Sequence, residues 1–441
     1  MFDFMPSFIN KRASAIIFVA GLFAGYAEGR AQSDTLTIDR AIQIAREQNM
    51  RLKSAESLRR SVVLSQSELS KTQLPQIRLG ASSIFAPASG HFGYDPAIAN
   101  GGQFGAQIVI EQSLYDGGVR DLRFEQIGVD IDRRNKEYRI SERDLIYSVK
   151  QAFIEALRAG QEIHLQAESV HQLTDYLETV RQLSKGGHAN YTDVLKTELQ
   201  LSNAEMSFQK SLESYSSARY SLAEILGGAI DTSLTLSGKL DDSAWSSADS
   251  LDEGQKSAAG SLEMSVAALS IQHFQLDMEL TKSERTPTFS LVGDAGVLTS
   301  RDNLRLPYAE RSGIFGYSVG VLVEIPLINW GATDLRVQQR QLAVDDLRYQ
   351  SELLHRSIFS ETKKIQLQSK NLRERLRSIR TSFKSAEENF LFTKSKFTGG
   401  SALSLEVLSS QQLLTDLKLS ELLTLAEIQM LTARLEQITT H

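Results

Sequence analysis

The 441-residue chain contains no cysteine. Disulfides, thiolate metal sites and a lipid-modified N-terminal cysteine are thereby excluded. Proline is scarce, at seven residues, and none falls between Pro96 and Pro287 or after Pro326. A proline inside a helix removes a backbone hydrogen bond and collides with the preceding turn, so these two expanses are free to carry very long helices. There is no basic excess either: 48 Lys and Arg stand against 54 Asp and Glu, a net charge of -6. Without a basic stripe interleaved with aromatics, no nucleic-acid partner is expected. Beyond one N-terminal run, no stretch is long and apolar enough to cross a bilayer as a helix. If the mature chain spans a membrane it must do so as a β-barrel, the other structure that satisfies every backbone group in lipid. Nucleophile elbow, phosphate loop and zinc-binding helix signature are all missing, and the acidic residues are spread along helix faces as solvated charge. We therefore expect no enzyme and no cofactor.

The N-terminal run is Ala13 to Ala27, preceded by Lys11-Arg12 and followed by small residues. That order is a secretory signal, with cleavage after Ala27 or Ala31, and residues 1–31 are read as a signal peptide for export to a bacterial envelope. A membrane anchor is disfavoured because the run falls short of roughly 20 residues.

What is present is a duplication. QFGAQIVIEQSLYDGGVRDLR, from Gln103 to Arg123, returns as YSVGVLVEIPLINWGATDLR, from Tyr317 to Arg336. In each, an alternating strand-like run meets a glycine, Gly118 or Gly331, and opens into a helical pattern. Pro75 pairs with Pro287, and Gly186-Gly187 with Gly399-Gly400, at the same spacing of about 213 residues. The first repeat is placed at 32–228: a helix over 36–74, a strand pair within 76–114, a long helix over 119–184 and another over 190–226. A Ser/Asp/Gly-rich segment, 229–260, joins the copies, with a short strand at 234–236. The second repeat, 261–441, has a helix, a strand pair within 288–325, a long helix over 331–396 and a last helix over 403–438.

The strands alternate. Phe104, Ala106, Ile108 and Ile110 oppose Gln103, Gly105, Gln107 and Val109; Phe315, Tyr317, Val319, Val321 and Val323 oppose Gly316, Ser318, Gly320, Leu322 and Glu324. One greasy face on a segment of this length suits a membrane strand of roughly 9–11 residues. The outer loops carry His91, Phe92, Tyr94 and Tyr308, which read equally as interfacial anchors or ordinary loop residues. The long helix would extend roughly 100 Å at 1.5 Å per residue. Apolar residues recur in sevens along it (Val149, Ala156, Ile163, Val170, Leu177) and along its successor (Val194, Leu201, Phe208, Tyr215, Leu222), which predicts helices packed side by side over their length. His164 and His171 lie seven apart, but histidines without a role, exposed or in a seam, are the commoner reading than metal ligands.

Four membrane strands per chain cannot close alone, since the smallest closed bacterial barrels have about eight. Two copies would give a barrel filled by its own side chains, whereas three would leave a lumen.

Over nearly the whole mature chain these features resemble the TolC-like outer-membrane factor family. LTIDRAIQIAREQNMRLKSA resembles its first helix, QLPQIRLGAS and RTPTFSLVG its proline-led strands, and GGHANYTDVLKTELQLSNAE and GGSALSLEVLSSQQLLTDLKL its two helix-turn-helix tips. The resemblance implies an α+β membrane protein. Three chains would share a twelve-stranded barrel in the outer membrane and a tunnel of long antiparallel α-helices across the periplasm. It also implies partners: a periplasmic membrane-fusion adaptor and an inner-membrane transporter, docking near Gly186, Gly187, Gly399 and Gly400. Acidic residues after the turns would line a closed periplasmic mouth, here Thr192 and Asp193 in the first tip and Glu406 in the second. Ala402 stands where some members have a locking arginine, and Ser409 where they have a second acid. Both carboxylates also sit in first helical turns, where the helix dipole favours them by roughly 0.3–1 kcal/mol and Asn190 is a ready cap.

The resulting expectation is an exit duct for small molecules or metal ions in a tripartite efflux system, with the exit duct of a type I protein secretion system as the alternative. A pore-free periplasmic coiled-coil scaffold or adaptor is disfavoured, because such a chain would carry one hairpin and not a duplicated strand-pair-plus-hairpin unit.

Overall fold

The computed structural model describes residues 35–84, 103–228, 235–242, 260–300 and 314–439. The signal segment, both outer loops and most of the inter-repeat segment lie outside them. The elements run β1 (Thr35–Leu36), α1 (Ile38–Gln48), α2 (Met50–Lys71), β2 (Gln76–Ile84), β3 (Gln103–Tyr115), α3 (Val119–Lys185), α4 (Tyr191–Ile225), β4 (Thr235–Leu236), α5 (Leu262–Ser283), β5 (Thr288–Ser300), β6 (Ile314–Glu324), α6 (Ala332–Thr398) and α7 (Ser404–Thr439).

Two features of residues 35–74 depart from the single helix expected over 36–74. Leu36 is a buried strand residue, and β1 pairs in parallel with β4, Leu36 opposite Leu236. The helix is then divided at Asn49, whose extended backbone ends α1. The Asn49 side chain caps α2 by accepting from the Arg51 and Leu52 amides at 2.9 and 3.3 Å, and its Nδ2 donates to the Ile225 carbonyl at 3.0 Å. A tertiary contact to the end of α4 therefore decides a break that helical periodicity does not reveal.

α3 and α6, 67 residues each, run through the whole molecule. Towards the sheet the helices lie in the order α2, α3, α5, α6; away from it the order is α4, α3, α7, α6. α4 ends against the start of α2 through Asn49, and α7 ends against the start of α5, where Gln437 donates to Asp144 beside the Arg143–Glu263 ion pair. Val149, Ala156, Leu177, Val194 and Leu222 are buried, and Ile163, Val170, Leu201, Phe208 and Tyr215 are half-buried, so the seven-residue repeats do form the seams. The largest core cluster lies at mid-length, where Leu36, Ala41, Ala45 and Leu52 pack on Leu145, Val149, Phe153, Leu222 and Leu226. Both outer helices of the row expose apolar residues: Leu199, Met206 and Tyr220 on α4, and Leu335, Leu342 and Tyr349, spaced in sevens, on α6.

The sheet has the order β2-β3-β5-β6, antiparallel throughout, with β2 and β6 as unpaired edges. Its register aligns the repeats. Leu79, Ile108, Ala295 and Tyr317 form one row across all four strands, and Ile77, Ile110, Gly293 and Val319 the next. Because side chains alternate along a strand, matching rows put every apolar set on the same face.

Candidate functional site

Two regions carry the chemistry, the hairpin tips and the sheet. At the tips the two copies end their long helices in the same way. The His188 amide donates to the Leu183 carbonyl at 2.8 Å and that of Gly187 to Ser184 at 3.1 Å; the Ser401 amide donates to Lys396 at 2.9 Å and that of Gly400 to Phe397 at 3.0 Å. This pair of bonds is a Schellman cap, which needs a left-handed residue. Gly187 and Gly400 supply it, at φ 75° and 74°. Gly186 and Gly399 have φ of -81° and -84°, which any residue adopts. Of the four expected tip glycines, two are therefore demanded by the turn and two are not.

The three expected gate residues differ in surroundings. Thr192 is exposed in the first turn of α4. Asp193 is half-buried, and its Oδ2 accepts from the Asn190 amide at 3.2 Å, so its carboxylate closes a helix cap. Glu406 is exposed in the first turn of α7 and makes no ion pair among the described residues. Ala402 packs against the tip cluster, and the Ser409 hydroxyl donates to the Glu406 carbonyl at 3.0 Å.

Beside Leu177 and Val194 of the seven-residue repeats, that cluster holds residues the sequence reading did not single out. Leu173, Tyr176, Leu177, Val180 and Val194 of the first hairpin pack on Phe397, Val407 and Leu408 of the second. The Tyr176 hydroxyl donates to Ser404 Oγ at 3.1 Å, and its ring lies 5.4 Å from that of Phe397. Burial pushes the Tyr176 phenol up to about 12; the Ser404 hydrogen bond works against this, and the nearby Asp193 charge adds to it. The phenol therefore stays a neutral donor. Further from the tip the seam turns polar, with Gln411 donating to Gln172 at 3.5 Å, Gln200 to Gln412 at 2.8 Å and Lys418 paired to Glu168 at 2.9 Å. Tyr176 stands outside the seven-residue repeat, next to Leu177, and its partner, 228 residues away, is invisible to spacing.

The sheet offers two unlike faces. On one, Ile77, Leu79, Ile108, Ile110, Phe289, Leu291, Phe315, Tyr317, Val319 and Val321 are exposed. The other carries Gln107, glycines, the Arg78–Glu111 ion pair and a hydrogen bond from Ser318 to Asp294. Gly80, Gln107, Gly296 and Gly316 share one row, so this face is nearly bare at that level. No helix among the described residues is long and apolar enough to cross a membrane. His164 and His171 are both exposed, His171 lying 3.4 Å from Asp175, and no group of three or more potential metal ligands occurs among the described residues.

The family of outer membrane efflux proteins matches the chain over residues 41–228 and 254–441, one match for each copy. The proteases secretion protein PrtF of Dickeya chrysanthemi is 22% identical over 283 residues, 63% of this chain; the match spans only 60% of that relative's length. Among solved structures, that of CusC superposes with a TM-score of 0.76 at 14% identity, covering 91% of each chain. The outer membrane protein VceC of Vibrio cholerae superposes with a TM-score of 0.73 at 13% identity, covering 91% of this chain and 96% of its own.

Proposed function

We propose, from the premise that this chain belongs to the outer membrane efflux protein family, that it is the outer-membrane duct of an export system. Three copies pool four strands each into a twelve-stranded barrel, and their helices form a tunnel through the periplasm. The observation that carries this reading is the register of the sheet. It gathers most apolar residues of the four strands on one uncovered face, gives the other mainly polar residues and glycines with Val109, Val292 and Leu322 among them, and leaves both edges unpaired among the described residues. In lipid each unpaired backbone group costs several kcal/mol, so edges of neighbouring copies must meet. The apolar face then meets acyl chains and the polar face lines water. The exposed apolar stripes on α4 and α6 close the helical wall in the same way, copy against copy.

The cargo is small molecules or metal ions delivered by an inner-membrane transporter through a periplasmic membrane-fusion adaptor that docks on the tips. Gly186 and Gly399 support docking there, because the backbone at neither position, at φ -81° and -84°, demands a glycine. Thr192, Asp193 and Glu406 ring the mouth, Glu406 making no ion pair among the described residues. The duct hydrolyses nothing itself. A second reading, the exit duct of a protein secretion system, is favoured by the likeness to the proteases secretion protein PrtF.

Single-channel conductance of the detergent-extracted protein in a planar bilayer, with its mass determined alongside, tests the duct. A trimer with discrete, cation-biased steps is expected; a soluble monomer without conductance refutes it. Asp193→Ala with Glu406→Ala is expected to raise conductance or shift cation selectivity, most of the shift following Glu406. Unchanged single-channel behaviour would remove these residues from the gate. Deleting the gene and measuring retention of small toxicants against secretion of proteins separates the two cargo readings.

A further inference from the structure

Trp330 is the one non-glycine residue with positive φ among those described, at 55°, and it is 92% exposed. Left-handed backbone is disfavoured for a large side chain, and the same position in the first copy is Gly117, at φ 75°. The turn is nevertheless pinned: the Asn329 carbonyl accepts from the Ala332 amide at 3.0 Å, and its side chain accepts from Gly331 at 3.2 Å. The neighbourhood is equally unusual. The apolar alternation of β6 continues past the end of the strand through Ile325 and Leu327, which with Ile328 are all exposed. Immediately beyond, the charges begin, with Arg285 paired to Asp334 and Arg336 to Glu284.

We propose that residues 325–330 are a lipid anchor seated in the headgroup layer at the helical end of the barrel, with Trp330 fixing how deep the barrel sits. This rests on the barrel reading above. An indole has an apolar body and one N–H donor, which suits the boundary between acyl chains and water. The segment lies between an apolar sheet face and a belt of ion pairs, which is where that boundary falls. The first copy has Gly117 in place of Trp330, with Leu114 and Tyr115 exposed at the positions of Leu327 and Ile328, so each chain carries one such tryptophan.

The chain has two tryptophans, so a Trp245→Phe variant reports Trp330 alone. The difference between wild type and Trp330→Phe gives the same signal without altering Trp245. The protein is placed in phosphatidylcholine vesicles brominated near the headgroup end or near the middle of the acyl chains, and conductance is recorded in the same vesicles. The expected result is loss of most Trp330 emission to the shallow bromines, less to the deep ones, and little to aqueous iodide. Quenching by iodide but not by lipid overturns the anchor. Shielding from both also overturns it, since a neighbouring copy then covers the segment from its β2 side. Absence of conducting, vesicle-inserted protein refutes the barrel itself, and the anchor with it.

Discussion

Replacing Tyr176 by phenylalanine deletes one hydroxyl from the seam between α3 and α7 while leaving the ring against Phe397. The lost bond, to Ser404 Oγ at 3.1 Å, lies between residues that are 5% and 1% exposed, so water does not replace it. Such a bond contributes about 0.5–1.5 kcal/mol net. If the mouth opens by parting this seam in three copies together, about 1 kcal/mol from each sums to about 3 kcal/mol, roughly 150-fold in the ratio of open to closed states. Open probability in a planar bilayer reads that ratio directly, and thermal unfolding of the same preparation reads the bond itself. Adding Ser404→Ala should restore stability, because removing both partners leaves no buried hydroxyl unsatisfied. A variant that is destabilised as calculated but gates like the wild type would refute the reasoning, and the mouth would then open between copies and not within them.

The same phenol predicts an alkaline limit. Its pKa is raised from the ordinary 10.0 to about 12, so below pH 10 both folded and unfolded states are protonated and its contribution is fully present. Between those values the unfolded chain loses the proton first, and about 2–3 kcal/mol per chain is lost as pH rises. Unfolding followed against pH should show this slope in the wild type and not in Tyr176→Phe. In the sheet, a Cβ at Gly296 would lie 2.6 Å from the Ala106 carbonyl oxygen and 2.8 Å from Gln107 Cβ, whereas one at Gly316 meets nothing within 4 Å. Gly296→Ala should cost about 1–3 kcal/mol, read as a lower dissociation temperature of the folded oligomer on gels; an equal effect of Gly316→Ala would refute the argument.

The fold class was legible because duplication, strand alternation and seven-residue repeats are each local and reinforce one another. The seams along α3 and α4 needed only spacing. What spacing could not supply was anything decided by a distant partner. Asn49 breaks a helix because the carbonyl of Ile225 is there to be met, and Leu36 joins a strand because Leu236 lies beside it. The tip was legible in outline and not in chemistry. Gly187 and Gly400 follow from the turn, but the Tyr176–Ser404 bond joins the two copies, and Asp193 turned out to spend its carboxylate on its own helix cap.

The uninterrupted run of α3 and α6 has a mechanical consequence. Each is a beam of 67 residues reaching from the sheet to the tip. Over roughly 100 Å, a tilt of about 5° at the sheet end sweeps the far end through about 9 Å. In the proposed trimer an aperture at the tip would therefore widen by a molecule's breadth while the barrel, at the fulcrum, keeps its hydrogen bonds and its diameter.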